Sequence, residues 1–382
     1  MLDILLEKTI LNQKDITNFF NTIGENIDID KIQKEFHEYN PKTETPTKTF
    51  AAIDGSYNNK KLMAAFVYAI ASQTIIYNPK TKITKESSAG DINLISSTKT
   101  RNIREILSQQ MNILELKSTI DTLQRYPDID YMLLDGMISG IIYQTSNPKF
   151  SPLIKKYLQQ WAKQIEIEIY SGNFPIEVKS ITQQDEIIEK IKQIYKFKLK
   201  EEVEDLNSII SYMQTLEQLT CLNYLLKKFS HKIVGISKTS STQQQFNQQI
   251  PDAAAVEYTC ENPGYTTPMK LTDIRPLRTT SDDSIHVQLP IHKDLTNIVY
   301  TTFFTRLDKR GNVLKIELPY DISEDEDKIK SILDDINSIS LNGYPYILKR
   351  AHDDVVIKQE DMYKIMKRLG IYEKTGRDML EK

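Results

Sequence analysis

The pattern of apolar and polar residues changes along this chain of 382 residues. In residues 1–38 and 101–124, apolar side chains recur three or four positions apart, a spacing that predicts amphipathic helices. Between these segments, short apolar runs with polar connections predict two or three antiparallel strands. The first run, "TFAAID", is expected to end at Asp54, because the polar stretch "GSYNNKK" at 55–61 is typical of a hairpin connection.

Two further apolar runs, at 61–71 and 73–78, are predicted to be the other strands of this antiparallel group. The run "IDYMLLDG" at 129–136 is apolar without alternation, which indicates a strand buried on both faces. Strands of this kind are typically parallel to their neighbours and covered by helices. Residues 151–230 have mainly helical spacing. Strands, a helix, a buried strand and more helices therefore follow in order, and this order predicts an α/β fold.

Residues 231–382 alternate between extended and helical patterns. Its predicted elements, in order, are a strand at 231–240, a long polar loop at 241–283, a hairpin of strands at 298–307 and 312–320, and helices at 325–340 and 359–374. A mixed sheet flanked by helices accommodates all of these elements.

Composition places the chain among folded globular proteins, since 40% of its residues are hydrophobic and 26% are charged. The 49 basic residues are balanced by 52 acidic ones, so a nucleic-acid partner would have to be held by a local basic groove. Two cysteines, Cys221 and Cys260, support neither a disulfide framework nor a cysteine-based zinc site, and they suit a reducing cytoplasm. No apolar run approaches the roughly 20 residues that span a bilayer, and the first residues lack the basic region of a secretory signal, so no membrane partner is predicted.

The two Asp-Gly pairs, Asp54-Gly55 and Asp135-Gly136, each follow an apolar run. Two carboxylates at neighbouring strand ends repel each other, and both stay ionised most easily when a cation lies between them. Oxygen ligands suit Mg²⁺ or Mn²⁺, and a pair of such ions can activate water in phosphodiester cleavage. The alternative interpretation is that each pair is an ordinary turn after a strand.

A third carboxylate would complete such a site, and the helix at 101–124 offers two. Glu115 lies between apolar neighbours close to the buried side of the helix, and Glu105 is the competing candidate. Most helical glutamates are simply solvated. Spacing alone therefore does not assign a role to either residue.

Near the C-terminus, Tyr344 and His352 are eight residues apart, which puts them on nearly the same face if one helix contains both. His352 could bind a metal or transfer a proton, and Tyr344 could contact a phosphate or a base. Lys238, just after a predicted strand, could contact a phosphate oxygen. The alternatives are a surface histidine, a packed tyrosine and a solvated lysine.

Four stretches together resemble the NurA nucleases, a family found mainly in archaea and some bacteria. They are "AAIDGSYN", "RNIREILSQQMNILELKSTI", "YMLLDGMISG" and "GYPYILKRAH", which occur in the family's order between residues 48 and 356. Each stretch is weak by itself. Their ordered conjunction is fairly specific, and "VGISKTS" is also similar to a strand of the family.

The resemblance implies an RNase H-like core with a metal-dependent nuclease site. It implies Asp54, Glu115, Asp135 and His352 as ligands of Mn²⁺ or Mg²⁺, and these residues with Tyr344 as the active site. It further implies a nuclease domain at 46–382 with a mainly helical insertion at about 151–230, preceded by an N-terminal helical extension at 1–45.

In function, the resemblance implies a DNA nuclease that cuts single strands internally and degrades single- and double-stranded DNA from 5′ to 3′. The implied setting is DNA end resection for recombination repair, as a homodimer, with a HerA-type hexameric ATPase as partner. Two alternatives remain. One is a non-catalytic RNase H-like subunit that regulates a motor ATPase. The other is an actin-like ATPase that binds phosphate through an Asp-Gly hairpin. Such proteins need a glycine-rich adenosine site, and the 12 glycines of this chain offer little for one.

Overall fold

The computed structural model describes most of the chain, namely residues 2–25, 27–96, 103–143, 151–196, 206–272, 274 and 294–371. Parts of the predicted helices at 101–124, 151–230 and 359–374, and of the predicted loop at 241–283, lie outside the described residues. None of the helices within the described ranges combines the length and the apolar character that crossing a bilayer requires.

The helices, in chain order, are α1 (Leu2–Glu25), α2 (Ile29–Glu35), α3 (Ile103–Arg125), α4 (Ile138–Tyr143), α5 (Pro152–Tyr170), α6 (Lys179–Thr182), α7 (Gln184–Lys196), α8 (Leu206–Phe229), α9 (Asp252–Thr259), α10 (Glu326–Asn337), α11 (Tyr346–Val355) and α12 (Gln359–Arg368). Several begin where the sequence supplies a cap. The Asp325 carboxylate accepts a hydrogen bond from the backbone of Lys328 at the start of α10.

The strands are β1 (Phe36–Glu38), β2 (Phe50–Lys61), β3 (Ala65–Asn78), β4 (Ile83–Ser96), β5 (Tyr131–Asp135), β6 (Ile233–Ser237), β7 (Gly264–Thr266), β8 (Met269–Leu271), β9 (Tyr300–Arg306), β10 (Val313–Leu318), β11 (Ser340–Leu341) and β12 (Tyr344–Pro345). Within the described residues, ten strands form one mixed sheet in the order β1-β7-β9-β10-β6-β5-β2-β3-β4, and β8 pairs with β9. The central strand β5 runs parallel to both β2 and β6, and the other pairs are antiparallel. This arrangement confirms the predicted α/β fold with a mixed sheet flanked by helices.

Two apolar cores lie on opposite faces of the sheet, because successive side chains of a strand point to opposite sides. On one face, Ala51 and Ile53 of β2 pack with residues of α3, α5 and α8. On the other face, Phe50 and Ala52 pack with residues of α10 and α11. Asp54 continues the second set, so its side chain points toward the C-terminal helices.

The antiparallel group differs from the prediction in three ways. Strand β2 does not end at Asp54 but continues through the polar stretch to Lys61, because every residue of that stretch pairs with β3. The runs at 61–71 and 73–78 are not separate strands and lie mainly within the single strand β3. The third strand is β4, which was not predicted because it is polar and largely exposed. An antiparallel arm that is solvated on one side does not need a continuous apolar pattern.

Two other predictions needed correction. Residues 36–38, predicted as helical, form strand β1 and pair with β7. The predicted loop at 241–283 contains the helix α9 and the short strands β7 and β8. These strands are only three residues long, which is too short for a period to be visible in the sequence.

Candidate metal centre

The parallel register of the central strands brings the two Asp-Gly pairs together. Ile53 of β2 lies opposite Leu134 of β5, so the next residues along the two strands, Asp54 and Asp135, are neighbours. Asp135 is the last residue of β5, while β2 continues past Asp54. The sequence predicted that both aspartates end a strand, which is confirmed for Asp135 and wrong for Asp54. The two carboxylates nevertheless lie side by side, just beyond the last parallel pair of β2 and β5.

His352 reaches the same place from the C-terminal helix α11. Its Nδ1 atom is 2.6 Å from Oδ2 of Asp54. The Asp54 side chain is 11% exposed and the imidazole 50% exposed, so the site is accessible from the histidine side. Among the described residues, Asp54, Asp135 and His352 each offer a metal-ligand atom, and these three atoms lie within 4.8 Å of one another.

Glu115 approaches from the other face of the sheet, and the glycine after Asp54 gives it room. A Cβ atom at Gly55 would lie 2.5 Å from Oε1 of Glu115 and 2.7 Å from Cγ of Met111. The glycine is thus required by the close approach of helix α3. Glu105, the competing candidate, lies exposed in the first turn of α3.

The charges of the carboxylates act on one another. Burial raises the pKa of Glu115 to about 8, and the charges of Asp54 and Asp135 add to the rise. Burial also raises the pKa of Asp54, with a further contribution from Asp135, while hydrogen bonds from His352 and Gly55 oppose the rise. A cation among these oxygens would favour the ionised carboxylates and so oppose the effects of burial and repulsion on both pKa values.

Tyr344 does not lie in the helix that carries His352. It belongs to the short strand β12, and helix α11 begins after it, because Pro345 can precede a helix but not continue one. The Tyr344 side chain is nevertheless close to the site, because Lys238 contacts both its ring and the Asp135 carboxylate. Burial and the charges of Asp135 and Asp54 raise the pKa of Tyr344. Its buried hydroxyl has no hydrogen-bond partner among the described residues.

Lys238, just after β6, also contacts the site. Its Nζ atom is 3.1 Å from Oδ2 of Asp135 and lies over the Tyr344 ring, 4.6 Å from the ring centre. The lysine and aspartate side chains are 39% and 20% exposed, so this is a partly solvated ion pair that a bound cation can displace at little cost. Lys238 is thus an exposed side chain, in line with the solvated alternative, and its ammonium group also pairs with a carboxylate of the site.

The turn after Asp135 is held by a buried carboxylate. Glu317 of β10 accepts hydrogen bonds from the backbone and the hydroxyl of Ser139, at 2.7 and 2.6 Å, in the first turn of α4. Gly136 has a φ of +125°, which favours glycine, and its N–H donates to the carbonyl of Ile236 at 2.8 Å. The two Asp-Gly pairs thus need glycine for different reasons, space at Gly55 and backbone conformation at Gly136.

A cavity of about 370 Å³ opens beside Glu115 and Asp135. One wall is apolar and includes Leu116 and Met137, and another carries hydroxyl groups of residues 239–242. The site therefore combines clustered acidic oxygens, an imidazole and an adjacent concave surface. Such a combination suits a divalent cation and a substrate that it helps to bind.

A family model of the NurA domain matches residues 48–357, which is most of the chain. This range contains every residue of the candidate metal centre. The chain belongs to the NurA family. Asp54, Glu115, Asp135, Tyr344 and His352, which the sequence singled out, thus lie together in one part of a NurA domain.

Relatives and solved structures of the NurA family are similar to this chain over nearly its full length. The DNA double-strand break repair nuclease NurA of Saccharolobus solfataricus is 26% identical over 378 residues, covering 96% of this chain and 94% of the relative. The probable DNA double-strand break repair nuclease NurA of Methanocaldococcus jannaschii is 26% identical over 347 residues, covering 87% and 81%.

The crystal structure of the NurA nuclease from Sulfolobus solfataricus superposes with a TM-score of 0.71 at 23% identity, covering 97% of each chain. A second NurA crystal structure, bound to dAMP and manganese, superposes with a TM-score of 0.62 at 15% identity, covering 98% of this chain and 99% of that one. These likenesses show that the chain has the fold of the NurA structures.

Two features of this NurA domain were not found from the sequence. The contact of Lys238 with Asp135 depends on the parallel pairing of β5 and β6, which no local pattern specifies. Ser56 and Asn58 were read as hairpin residues. Because strand side chains alternate, the polar residues Asp54, Ser56 and Asn58 at every second position were a signal that one face of β2 stays polar beyond the aspartate.

Proposed function

We propose that this chain is a metal-dependent DNA nuclease that acts at double-strand breaks. The proposal rests on one observation above all. Asp54, Asp135 and His352 offer ligand atoms within 4.8 Å of one another, and Glu115 reaches the same carboxylates from the opposite face of the sheet. Membership of the NurA family and the names of the curated relatives support the same function.

The residues fit Mn²⁺ or Mg²⁺. Three carboxylates and one imidazole are a ligand set that both ions accept. Burial and the neighbouring carboxylates raise the pKa values of Asp54 and Glu115, so a bound cation would stabilise their ionised forms. When bound, the ion would supply Lewis-acid activation of water and charge neutralisation at the scissile phosphate. The NurA crystal structure bound to manganese supports the choice of ion.

The side chains of the site would bind the ion, transfer a proton and hydrogen-bond the substrate. Asp54, Glu115 and Asp135 hold the ion. His352 is a further ligand or transfers a proton, and Asp54 orients its imidazole through Nδ1. The unpartnered hydroxyl of Tyr344 donates a hydrogen bond to a phosphate oxygen in the site. No covalent intermediate with the protein is required, since positioning and charge account for the chemistry.

The finer aspects of the proposal come from the family. They are internal cleavage of single strands, 5′ to 3′ degradation of single- and double-stranded DNA, and end resection for recombination repair. The proposed partners are a HerA-type hexameric ATPase and a second copy of the chain. The absence of bulk basic charge, with a net charge of −3, is compatible with DNA held locally at the site rather than over the whole surface.

Incubation of the pure protein with labelled single-stranded DNA and Mn²⁺ tests the proposal. The wild type should cleave, chelation should stop cleavage, and Asp54→Asn should abolish it while circular dichroism and the melting temperature report an intact fold. Asp353→Asn is the matched control, because it also replaces an aspartate with asparagine. Asp353 is an exposed residue of α11, the helix that carries His352. An inactive wild type with intact fold would favour the non-catalytic subunit instead. An Asp54→Asn variant as active as wild type would refute the site.

A further inference from the structure

Strand β2 continues for seven residues past Asp54, and its polar side chains make a row of contacts with the C-terminal segment. Asp54, Ser56 and Asn58 share one face of the strand. Asp54 contacts His352, and the other two contact Ile357. The segment from His352 to Ile357 therefore lies along β2 in the same direction as the strand.

The contacts at Ile357 involve both of its backbone groups. Its N–H donates to Oγ of Ser56 at 3.0 Å, and its carbonyl accepts from Nδ2 of Asn58 at 2.8 Å. Oδ1 of Asn58 in turn accepts from Nε2 of Gln359 at 3.1 Å. Because helix α11 ends at Val355, these bonds fix the chain two residues beyond the end of the helix that carries His352.

Apolar packing holds the same segment less specifically. The buried residues of α11, such as Leu348 and Ala351, pack on the sheet, and Ile357 packs against a small cluster that includes Leu62 and Met362. Apolar contacts are not directional, so they permit sliding of the helix along the strand. The hydrogen bonds to Ile357 set the position along β2, because they require defined donor and acceptor geometry.

We propose that Ser56 and Asn58 are positioning residues that hold the His352 imidazole against Asp54. The imidazole is half exposed, so packing restrains it less than it would restrain a buried ring. Its position depends on where α11 lies along β2, and the two hydrogen bonds to Ile357 set that position. The catalytic consequence rests on the proposed nuclease function, whereas the orientation of His352 does not.

The metal-free protein provides a readout that is independent of activity. Long-range ¹H–¹⁵N spectra of the neutral ring distinguish an imidazole protonated at Nδ1 from one protonated at Nε2. The His352 signal is identified by its loss in His352→Gln. We expect the Nδ1–H form in the wild type, since Nδ1 donates to Asp54, and a mixture dominated by the other form in Ser56→Ala/Asn58→Ala. An unchanged His352 signal in the double variant overturns the proposal, whether or not the chain is a nuclease.

Cleavage provides the second readout, through a double-mutant cycle. A misplacement of about 1 Å at a catalytic group can cost on the order of 100-fold in rate, so we expect a loss of about tenfold to 100-fold in Ser56→Ala/Asn58→Ala. In the His352→Gln background the same pair of substitutions should cause no further loss, because both act through the imidazole. Equal losses in both backgrounds would identify a purely structural role and overturn the proposal.

Two control variants separate position from bulk stability. Asn59→Ala changes the neighbouring asparagine on the opposite face of β2 and should leave the His352 signal and the rate unchanged. Ser56→Thr keeps the hydroxyl to which the Ile357 N–H donates, so this variant should keep the wild-type His352 signal and the wild-type cleavage rate. If the wild type shows the expected His352 signal but cleaves no DNA, the proposed function fails and the orientation by Ser56 and Asn58 stands.

Discussion

The substitution Gly55→Ala separates the function of the site from the stability of the fold. The φ angle of Gly55 does not require glycine, so alanine is tolerated by the backbone. The added Cβ would meet Oε1 of Glu115 at 2.5 Å and Cγ of Met111 at 2.7 Å. Both atoms belong to flexible side chains that can move. The carboxylate that has to move is the one proposed to hold the metal.

The size of the movement follows from the distances. An ordinary contact begins at 3.4 Å, so the Glu115 oxygen has to retreat by about 0.9 Å. A misplacement of about 1 Å costs on the order of 100-fold in rate. Overpacking costs about 1–3 kcal/mol, and alanine recovers about 0.4–1 kcal/mol by restricting the unfolded chain, so the net loss of stability should be about 1–2 kcal/mol. A 100-fold loss raises the activation free energy by about 2.7 kcal/mol, whereas a loss of about 1–2 kcal/mol in stability leaves an ordinary domain folded. The cleavage rate should therefore fall while the protein stays folded.

The assay is single-turnover cleavage of labelled single-stranded DNA over a Mn²⁺ titration, with urea unfolding in parallel. Gly140→Ala is the control, because its added Cβ would meet only Cβ of Met137 at an ordinary 3.6 Å. We expect Gly140→Ala to cleave at the wild-type rate. If Gly55→Ala cleaves as fast as the wild type and binds Mn²⁺ equally well, Glu115 is not a ligand whose position matters.

Three further predictions concern pH, Lys238 and a buried ion pair. Because the pKa of Glu115 is raised to about 8, its carboxyl is protonated at lower pH and the proton competes with the metal. The apparent Mn²⁺ affinity should fall about tenfold for each pH unit below 8, and this slope should be lost in Glu115→Gln. Lys238→Met removes a cation 3.1 Å from Asp135 and should raise Mn²⁺ affinity up to about fivefold, measured by the paramagnetic resonance signal of free Mn²⁺. Lys117→Met removes the ammonium group 2.6 Å from the buried Glu217 carboxylate, which keeps only the backbone hydrogen bonds from Lys179 and Ser180, and should cost about 3–5 kcal/mol in urea unfolding.

Each of these predictions has a contrary result. A pH slope that persists in Glu115→Gln would place the titrating proton on another group. A Lys238→Met variant with weaker Mn²⁺ binding would mean that the lysine supports the site rather than competes with the ion. A loss below about 1 kcal/mol in Lys117→Met would show that water or a neighbouring group compensates the Glu217 charge.

The sequence by itself determined the elements that have a strong local period or a long apolar run. Helix α3 and strand β5 were predicted close to their observed bounds, because about six helical turns and an uninterrupted apolar run are signals that a single segment carries. The two Asp-Gly pairs and the ordered resemblance to NurA were also readable, since residue types in order need no coordinates. Short or polar elements, such as β4 and β7, carry no such signal.

Only the tertiary structure decided how these residues meet. The register of β2 against β5 makes Asp54 and Asp135 neighbours although β3, β4 and α3 lie between them in the chain, and α11 brings His352 to Asp54 across a separation of 298 residues. Glu115 reaches them because Gly55 leaves space on the other face of the sheet. These contacts depend on strand pairing and helix packing between distant segments. The free energies of pairing and packing are sums over many residues, so no local pattern specifies them.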